Sequence, residues 1–499
     1  MQLTPQQEDR AAGVLLGQAI GDALGVPYEF AAPPSGEPGM VGGGLGGFAP
    51  GEWSDDTQMA ACIARVSTGG RDLTSASALD EIATAFEDWY AGRPADVGNQ
   101  TRAVLTGAKQ RAGTPAERLR AASAAFTART AHAAGNGALM RTGIVGLTRL
   151  HDPAATAAAA RAIAELTHPD PLAVETCILW AEAVRVAVLE GRFDLAAGVR
   201  LLAPERRDDW LARIEGATGA EPKVFSPNGF TVPAMLCAWA AITSTEDASG
   251  SPEHVQRAFT AAVHAGNDTD TVAAIAGALL GARYGVTGLP ARWRRSVHGW
   301  PGLRGANLLA MALTTARRDN DESRWPSAAQ MDYRGDFGSS VAMAVPHPFD
   351  EGVLLGTWQD FRHVDQLGVD AVVSLCRVGT DDLQAGVVAP ENHVRVWLID
   401  SDDPKANQHL DFVLDDTADV VRRLRAEGKR VLLHCVAAQQ RTPSVAVRYA
   451  TKLGVDATVA ARAITSGLPS VRGFGLVWST ALGGSPARTI SSTNNGRPE

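Results

Sequence analysis

Asn267-Asp268-Thr269-Asp270-Thr271-Val272-Ala273-Ala274-Ile275-Ala276-Gly277-Ala278-Leu279 sets a cluster of hydroxyls and carboxylates directly before an apolar run. Val272, Ile275, Ala276 and Leu279 recur at the spacing that lines one face of a helix. The same construction occurs upstream, where Trp53-Ser54-Asp55-Asp56-Thr57 precedes Met59, Cys62, Ile63 and Val66. Around both segments alanine is abundant and apolar positions keep the helical period, as in Leu172, Cys177, Ile178, Ala181, Val184 and Val188. Residues 1–318 are therefore expected to form an all-α domain.

Beyond that point the character changes. A chain of 499 residues is too long for one ordinary core. The charged run Arg317-Arg318-Asp319-Asn320-Asp321-Glu322-Ser323, followed by Pro326, suits a linker, taken as 319–344. Ala371-Val372-Val373-Ser374-Leu375, Val394–Ile399 and Arg430-Val431-Leu432-Leu433 then read as strands. Phe412–Glu427 reads as a helix ended by Gly428. Strand, helix, strand at this spacing predicts an α/β domain with a mainly parallel sheet over 345–485. The Ser-, Asn- and Thr-rich residues 486–499 are expected to be a disordered tail. The chain is expected to be multidomain.

Hydrophobic content of 45% with 20% charged residues fits a soluble globular enzyme. No apolar run is long enough to span a bilayer, and the first residues lack a secretory pattern. The five cysteines form no CxxC pair, which points away from a disulfide framework or a cysteine zinc site and towards a reducing, cytoplasmic setting. A net charge of −9 argues against wholesale attraction to nucleic acid.

Each acidic segment taken alone suits a helix cap, because Ser, Thr and Asp favour that position and the positive helix end. Capping needs one side-chain oxygen, however, and each segment offers several. Hard oxygen donors without thiolate or imidazole suit Mg²⁺ or Mn²⁺. Were the two helix starts to converge, four carboxylates and two hydroxyls could hold two cations, an arrangement suited to a substrate with vicinal hydroxyls.

Gly17-Gln18-Ala19-Ile20-Gly21-Asp22-Ala23-Leu24-Gly25, then Glu29, Trp53–Thr57, Gly135-Asn136-Gly137-Ala138-Leu139-Met140-Arg141 and Gly266–Thr271, in this order, resemble the motifs of the ADP-ribosylglycohydrolase family. That resemblance covers about 300 residues and implies an all-α fold, two Mg²⁺ (or Mn²⁺) ions, and water replacing the aglycone at the anomeric carbon of the ribose distal to adenine. By position, Ser54, Asp55, Asp56, Asp268, Asp270 and Thr271 match metal ligands, and Glu29 matches the glutamate near the scissile bond. A carboxylate there can stabilise an oxocarbenium-like state or manage a proton. Asp22 either touches the site or anchors the first helix. Gly135, Asn136 and Gly137 are expected to form a turn near the diphosphate or distal ribose, and His168 matches a family histidine near the ligand. Gly17, Gly21 and Gly25 share one helix face and suit close packing. Gly42-Gly43-Gly44-Leu45-Gly46-Gly47 formally satisfies GxGxxG but follows no strand and opens no helix, so it is not a dinucleotide fingerprint.

His434-Cys435-Val436-Ala437-Ala438-Gln439-Gln440-Arg441-Thr442 places a CX5R sequence between a buried strand and a helix opened by Pro443. Such a loop offers backbone amides to a phosphate dianion, a cysteine activated as thiolate, and an arginine for bidentate phosphate binding. The segment resembles the phosphate loop of cysteine-dependent protein phosphatases, closest to the dual-specificity type. That resemblance implies Cys435 as nucleophile, Arg441 and Thr442 at the phosphate and leaving sulfur, and an upstream general acid, Asp400 preferred over Asp402 and Asp403. Family members commonly have glycine where this chain has Ala438.

The expected function is a bifunctional hydrolase acting on an ADP-ribosylated and a phosphorylated substrate. Nucleic acid enters only as one of the modified acceptors, and no membrane partner is expected. A non-catalytic ADP-ribose and phosphate reader is the competing expectation, although binding alone would not require Glu29 together with a full ligand set.

Overall fold

The computed structural model describes residues 2–333 and 341–483 and divides into two units, Met1–Gln330 and Met331–Glu499. Part of the expected linker (334–340) and the expected tail lie outside the described residues.

The first unit runs α1 (Pro5–Gly25), α2 (Asp55–Ser67), α3 (Ala76–Ala91), α4 (Asn99–Ala108), α5 (Pro115–Thr127), α6 (Pro153–Ala164), α7 (Pro171–Glu190), α8 (Arg207–Ala217), α9 (Thr231–Thr243), α10 (Glu253–His264), α11 (Thr269–Tyr284), α12 (Ala291–Arg294) and α13 (Gly305–Arg317). A small antiparallel pair, β1 (His298–Gly299) and β2 (Leu303–Arg304), interrupts the helices before α13.

The centre of this unit is the pairing of α1 with α11, both buried along nearly their whole length. Glycines let the two backbones touch. A Cβ on Gly17 would run into the Gly277 carbonyl, one on Gly21 into that of Ala273, and one on Gly25 into the backbone of Asp270. The glycine face thus brings the carboxyl end of α1 against the amino end of α11. Cys177, Ile178, Ala181, Val184 and Val188 of α7 fill the core beside them, while Leu172 is only partly buried.

In the second unit a five-stranded sheet has the order β3 (Val345–His347), β4 (Asp350–Gly356), β7 (Val431–His434), β5 (Ala371–Ser374), β6 (His393–Arg395). All neighbours are parallel except the β3–β4 edge. Helices α14 (Trp358–Arg362), α15 (Leu410–Ala426), α16 (Arg441–Lys452), α17 (Ala457–Gly467) and α18 (Leu476–Ala481) complete the unit. β6 ends at Arg395, short of the strand expected to Ile399. There the Asn407 side chain takes both the amide and the carbonyl of Ile399, at 2.9 and 2.8 Å, replacing a ladder partner. Among the described residues no helix is long and apolar enough to cross a membrane.

Candidate active sites

The two acidic helix starts converge. One carboxylate oxygen from each of Asp22, Asp56 and Asp270 lies within 4.8 Å of the other two, and the same holds for Glu29, Asp268 and Asp270. Asp270 belongs to both groups. Asp22 enters as a full member, and Glu29 stands among these carboxylates.

Neither helix is capped by its own first side chain. Ser54 and Asp268 occupy the N-cap positions of α2 and α11 and make no capping hydrogen bond through their side chains. Asp22 does that work for α2. It accepts from the Ser54 amide at 2.8 Å, the Thr57 amide at 3.0 Å and the Thr57 hydroxyl at 2.6 Å. The Ser54 hydroxyl donates to Asp56 at 2.9 Å, and the Thr271 amide donates to Asp270 at 2.9 Å. Asp55 sits farther out, its carboxylate 3.4 Å from the Gly98 amide.

Asn136 donates to Asp268 at 2.7 Å and to the Asn228 carbonyl at 3.2 Å. Asn228 in turn accepts the Asp268 amide at 3.0 Å. Phe30 and Asn267 adopt left-handed backbone (φ 48° and 61°) beside Glu29 and Asp268, and the Phe30 amide donates to the Asn267 carbonyl at 2.7 Å. Left-handed conformation at non-glycine residues is costly and concentrates at functional sites. Here it ties the Glu29 and Asp268 loops together.

Among the described residues none of these carboxylates has an ion-pair partner. Burial and the neighbouring Asp96, Asp268, Asp55 and Asp22 push Glu29 up to about 8. Burial, then Asp96 and Asp22, push Asp55 up to about 7. Burial raises Asp56 and Asp270 well above the ordinary carboxylate range, with mutual repulsion adding to it. Asp56 Oδ1 is buried without a hydrogen-bond partner. A buried all-oxygen cluster with uncompensated negative charge and a spare oxygen fits a hard divalent cation.

His168 is buried against the Gly135–Gly137 turn, where a Cβ on Gly137 would stand 3.1 Å from its ring. Asn228 and Asp96 were not singled out by sequence. Asn228 lies in Ser226-Pro227-Asn228-Gly229, which reads as an ordinary turn, and Asp96 has no acidic neighbour in its segment.

Residues 3–323 match the family described as ADP-ribosylglycohydrolase. The chain belongs to the ADP-ribosylglycohydrolase family. It is 35% identical over 304 residues to ADP-ribosylarginine hydrolase Tri1 of Pseudomonas putida, covering 59% of this chain and 76% of that one. It is 30% identical over 301 residues to ADP-ribosyl-[dinitrogen reductase] glycohydrolase of Rhodospirillum rubrum, covering 58% and 90%. The family match lies within the first unit. The second unit is similar to human DUSP28, with 18% identity, a TM-score of 0.25, and coverage of 29% of this chain and 93% of that one.

In that second unit Cys435 follows the last residue of β7, at the carboxyl edge of the sheet, and Arg441 opens α16. Both are buried. Arg441 donates through Nη1 to the carbonyls of Leu375 at 2.9 Å and Leu398 at 3.2 Å, and its Nε lies 3.7 Å from Asp400. Asp402 instead accepts the Leu476 amide at 2.7 Å, and Asp403 accepts the Lys405 amide at 2.9 Å. The Thr442 hydroxyl is directed to the Gly356 carbonyl at 3.5 Å. Ala438 has φ 53°, the left-handed conformation that glycine adopts freely.

Proposed function

We propose that the first unit hydrolyses the bond between ADP-ribose and an acceptor, arginine first among the candidates, at a centre of two Mg²⁺ ions. The observation that carries this is the pair of carboxylate triads sharing Asp270, buried except for the half-exposed Glu29. The relatives named as an ADP-ribosylarginine hydrolase and a dinitrogen reductase glycohydrolase support the substrate class. Asp22, Asp56, Asp268 and Asp270 would hold the ions, with Ser54, Asp55 and Thr271 beside them. Bound there, Mg²⁺ would fix and polarise vicinal ribose hydroxyls. Glu29 is only half-buried, so it reaches the open side of the cluster. As carboxylate it takes a proton from the water that replaces the aglycone; as acid it gives one to the departing nitrogen. Asn136 and Asn228 hold Asp268 in place.

For the second unit the proposal is phosphate monoester hydrolysis. The Cys435 sulfur attacks phosphorus, the ester oxygen leaves with a proton from Asp400, and water then cleaves the S–P bond. The Cys435–Arg441 loop at the sheet's carboxyl edge and the proximity of Asp400 to Arg441 support this.

The purified chain with Mg²⁺ would be offered ADP-ribosyl-arginine, ADP-ribosyl-serine and ADP-ribosylated nucleic acid, with free ADP-ribose measured. Release from at least one is expected. Tight binding of ADP-ribose with no release from any would establish a reader instead. p-Nitrophenyl phosphate turnover should vanish in Cys435→Ser, and its persistence there would overturn the second assignment.

A further inference from the structure

His168 is 1% exposed, and among the described residues only one of its ring nitrogens is engaged. Its Nδ1 lies 2.7 Å from the Thr167 hydroxyl. Arg141 donates to that same hydroxyl through Nη2 at 2.6 Å. A guanidinium can only donate, so the Thr167 oxygen accepts from Arg141; among the described residues its own hydrogen has no acceptor other than Nδ1, and a buried hydroxyl is satisfied only by sending it there. Nδ1 is then the acceptor, and the neutral ring carries its hydrogen on Nε2. Burial, with the Arg141 charge adding to it, holds His168 well below its ordinary pKa, so the neutral form persists.

Nε2 faces the glycine turn. A Cβ on Gly135 would stand 3.4 Å from it, and one on Gly137 3.2 Å. Among the described residues Nε2 has no hydrogen-bond partner. Although the ring as a whole is buried, Nε2 is not among the fully enclosed atoms that lack a partner, so an acceptor can reach it and an N–H there is best satisfied by one. Arg141 is itself fully buried, stacked 4.5 Å over Phe86, with Nη1 3.4 Å from the Met59 sulfur and, among the described residues, no carboxylate partner. A guanidinium held this way is costly to bury, and its bond to Thr167 gives it a defined role.

We propose that Arg141, acting through Thr167, is a positioning residue that holds His168 as a neutral Nε2–H donor aimed at an oxygen of ADP-ribose seated on the Gly135–Gly137 turn. The ligand half of this rests on the ADP-ribosyl hydrolase proposal; the hydrogen-bond relay does not.

The test uses the full chain with Mg²⁺ and ring-¹⁵N-labelled histidine. His168 should show the Nε2–H tautomer throughout the neutral pH range, and its Nε2 resonance should move when ADP-ribose is added. Thr167→Val, which keeps the shape and removes the hydroxyl, should give mixed tautomers and weaken ADP-ribose, measured by calorimetry, about tenfold. Thr167→Ser should restore both, which separates the relay from a packing defect. Arg141→Met should follow Thr167→Val. An Nδ1–H tautomer in the wild type, or Thr167→Val with unchanged tautomer and affinity, would overturn the proposal. Wild-type protein with the expected tautomer and no ADP-ribose binding would overturn the ligand half and the proposed function together, leaving the relay standing.

Discussion

Asp22 accepts the Ser54 amide at 2.8 Å, so the second helix is capped by a carboxylate from the first. This relationship separates the two uses of the acidic segment. With Asp22 satisfying the amides of Ser54 and Thr57, Ser54 and Asp56 keep side-chain oxygens that the helix start does not consume.

Asp22→Ala should therefore cost stability twice. In EDTA the loss is that of a helix cap, about 1–2 kcal/mol. In saturating Mg²⁺ the gap from wild type should widen, because the wild type gains binding free energy that the variant has partly lost. Urea unfolding in both conditions measures it. Equal gaps would reduce Asp22 to a cap.

Gly25→Ala drives a methyl into the backbone of Asp270. Overpacking of this kind costs about 1–3 kcal/mol. Because the displaced backbone carries the carboxylate shared by both triads, the thermal shift caused by Mg²⁺ should shrink as well. A destabilised variant with a full Mg²⁺ shift would show that α1–α11 packing does not set the site.

The metal-free chain should lose stability as pH rises. Asp22, Asp55 and Glu29 are pushed up to about 6, 7 and 8, in each case chiefly by burial. A raised carboxyl pKa means that the folded state binds the proton more tightly than the unfolded chain. That stability is full below the ordinary carboxylate range and is lost as pH passes through the raised values. Melting in EDTA should thus fall between about pH 5 and 8, and Mg²⁺, which competes with the protons, should protect most at the upper end. A flat or rising EDTA curve attributable to the first unit would contradict this.

Ala438→Gly should relieve the left-handed backbone at φ 53°. Alanine in that conformation costs about 1–2 kcal/mol, offset in part by the greater freedom of glycine in the unfolded chain. The second unit should gain up to about 1 kcal/mol, and p-nitrophenyl phosphate turnover should hold or rise. A loss of both would mean that the alanine methyl is needed where it is.

Local patterns were the legible part. The helical period of Val272, Ile275 and Leu279, the glycine face of α1 and the strand running into Cys435 are short-range signals, and the structure forms each element. What sequence left open was long-range. Whether Ser54 caps its helix or keeps its hydroxyl free for another use depended on Asp22, more than 30 residues away and on another helix. Asn228 gains meaning only when folding lays it beside Asp268. The β3–β4 hairpin went unread because Val345–His347 is too short, with Pro346 inside it, to give a strand pattern. At Ala438 the sequence showed an alanine where resembling loops commonly have glycine, and only the structure gives the left-handed backbone, φ 53°, that glycine would suit.

Release of free ADP-ribose from ADP-ribosyl-arginine, followed while Mg²⁺ is titrated into EDTA-treated wild type and Asp270→Ala, tests the central claim most directly. Asp270 is the carboxylate common to both triads. The wild type should be silent without Mg²⁺ and recover as it is added, and Asp270→Ala should stay silent at every concentration. Turnover in EDTA, or an Asp270→Ala variant that Mg²⁺ restores to wild-type rates, would contradict the metal centre proposed here.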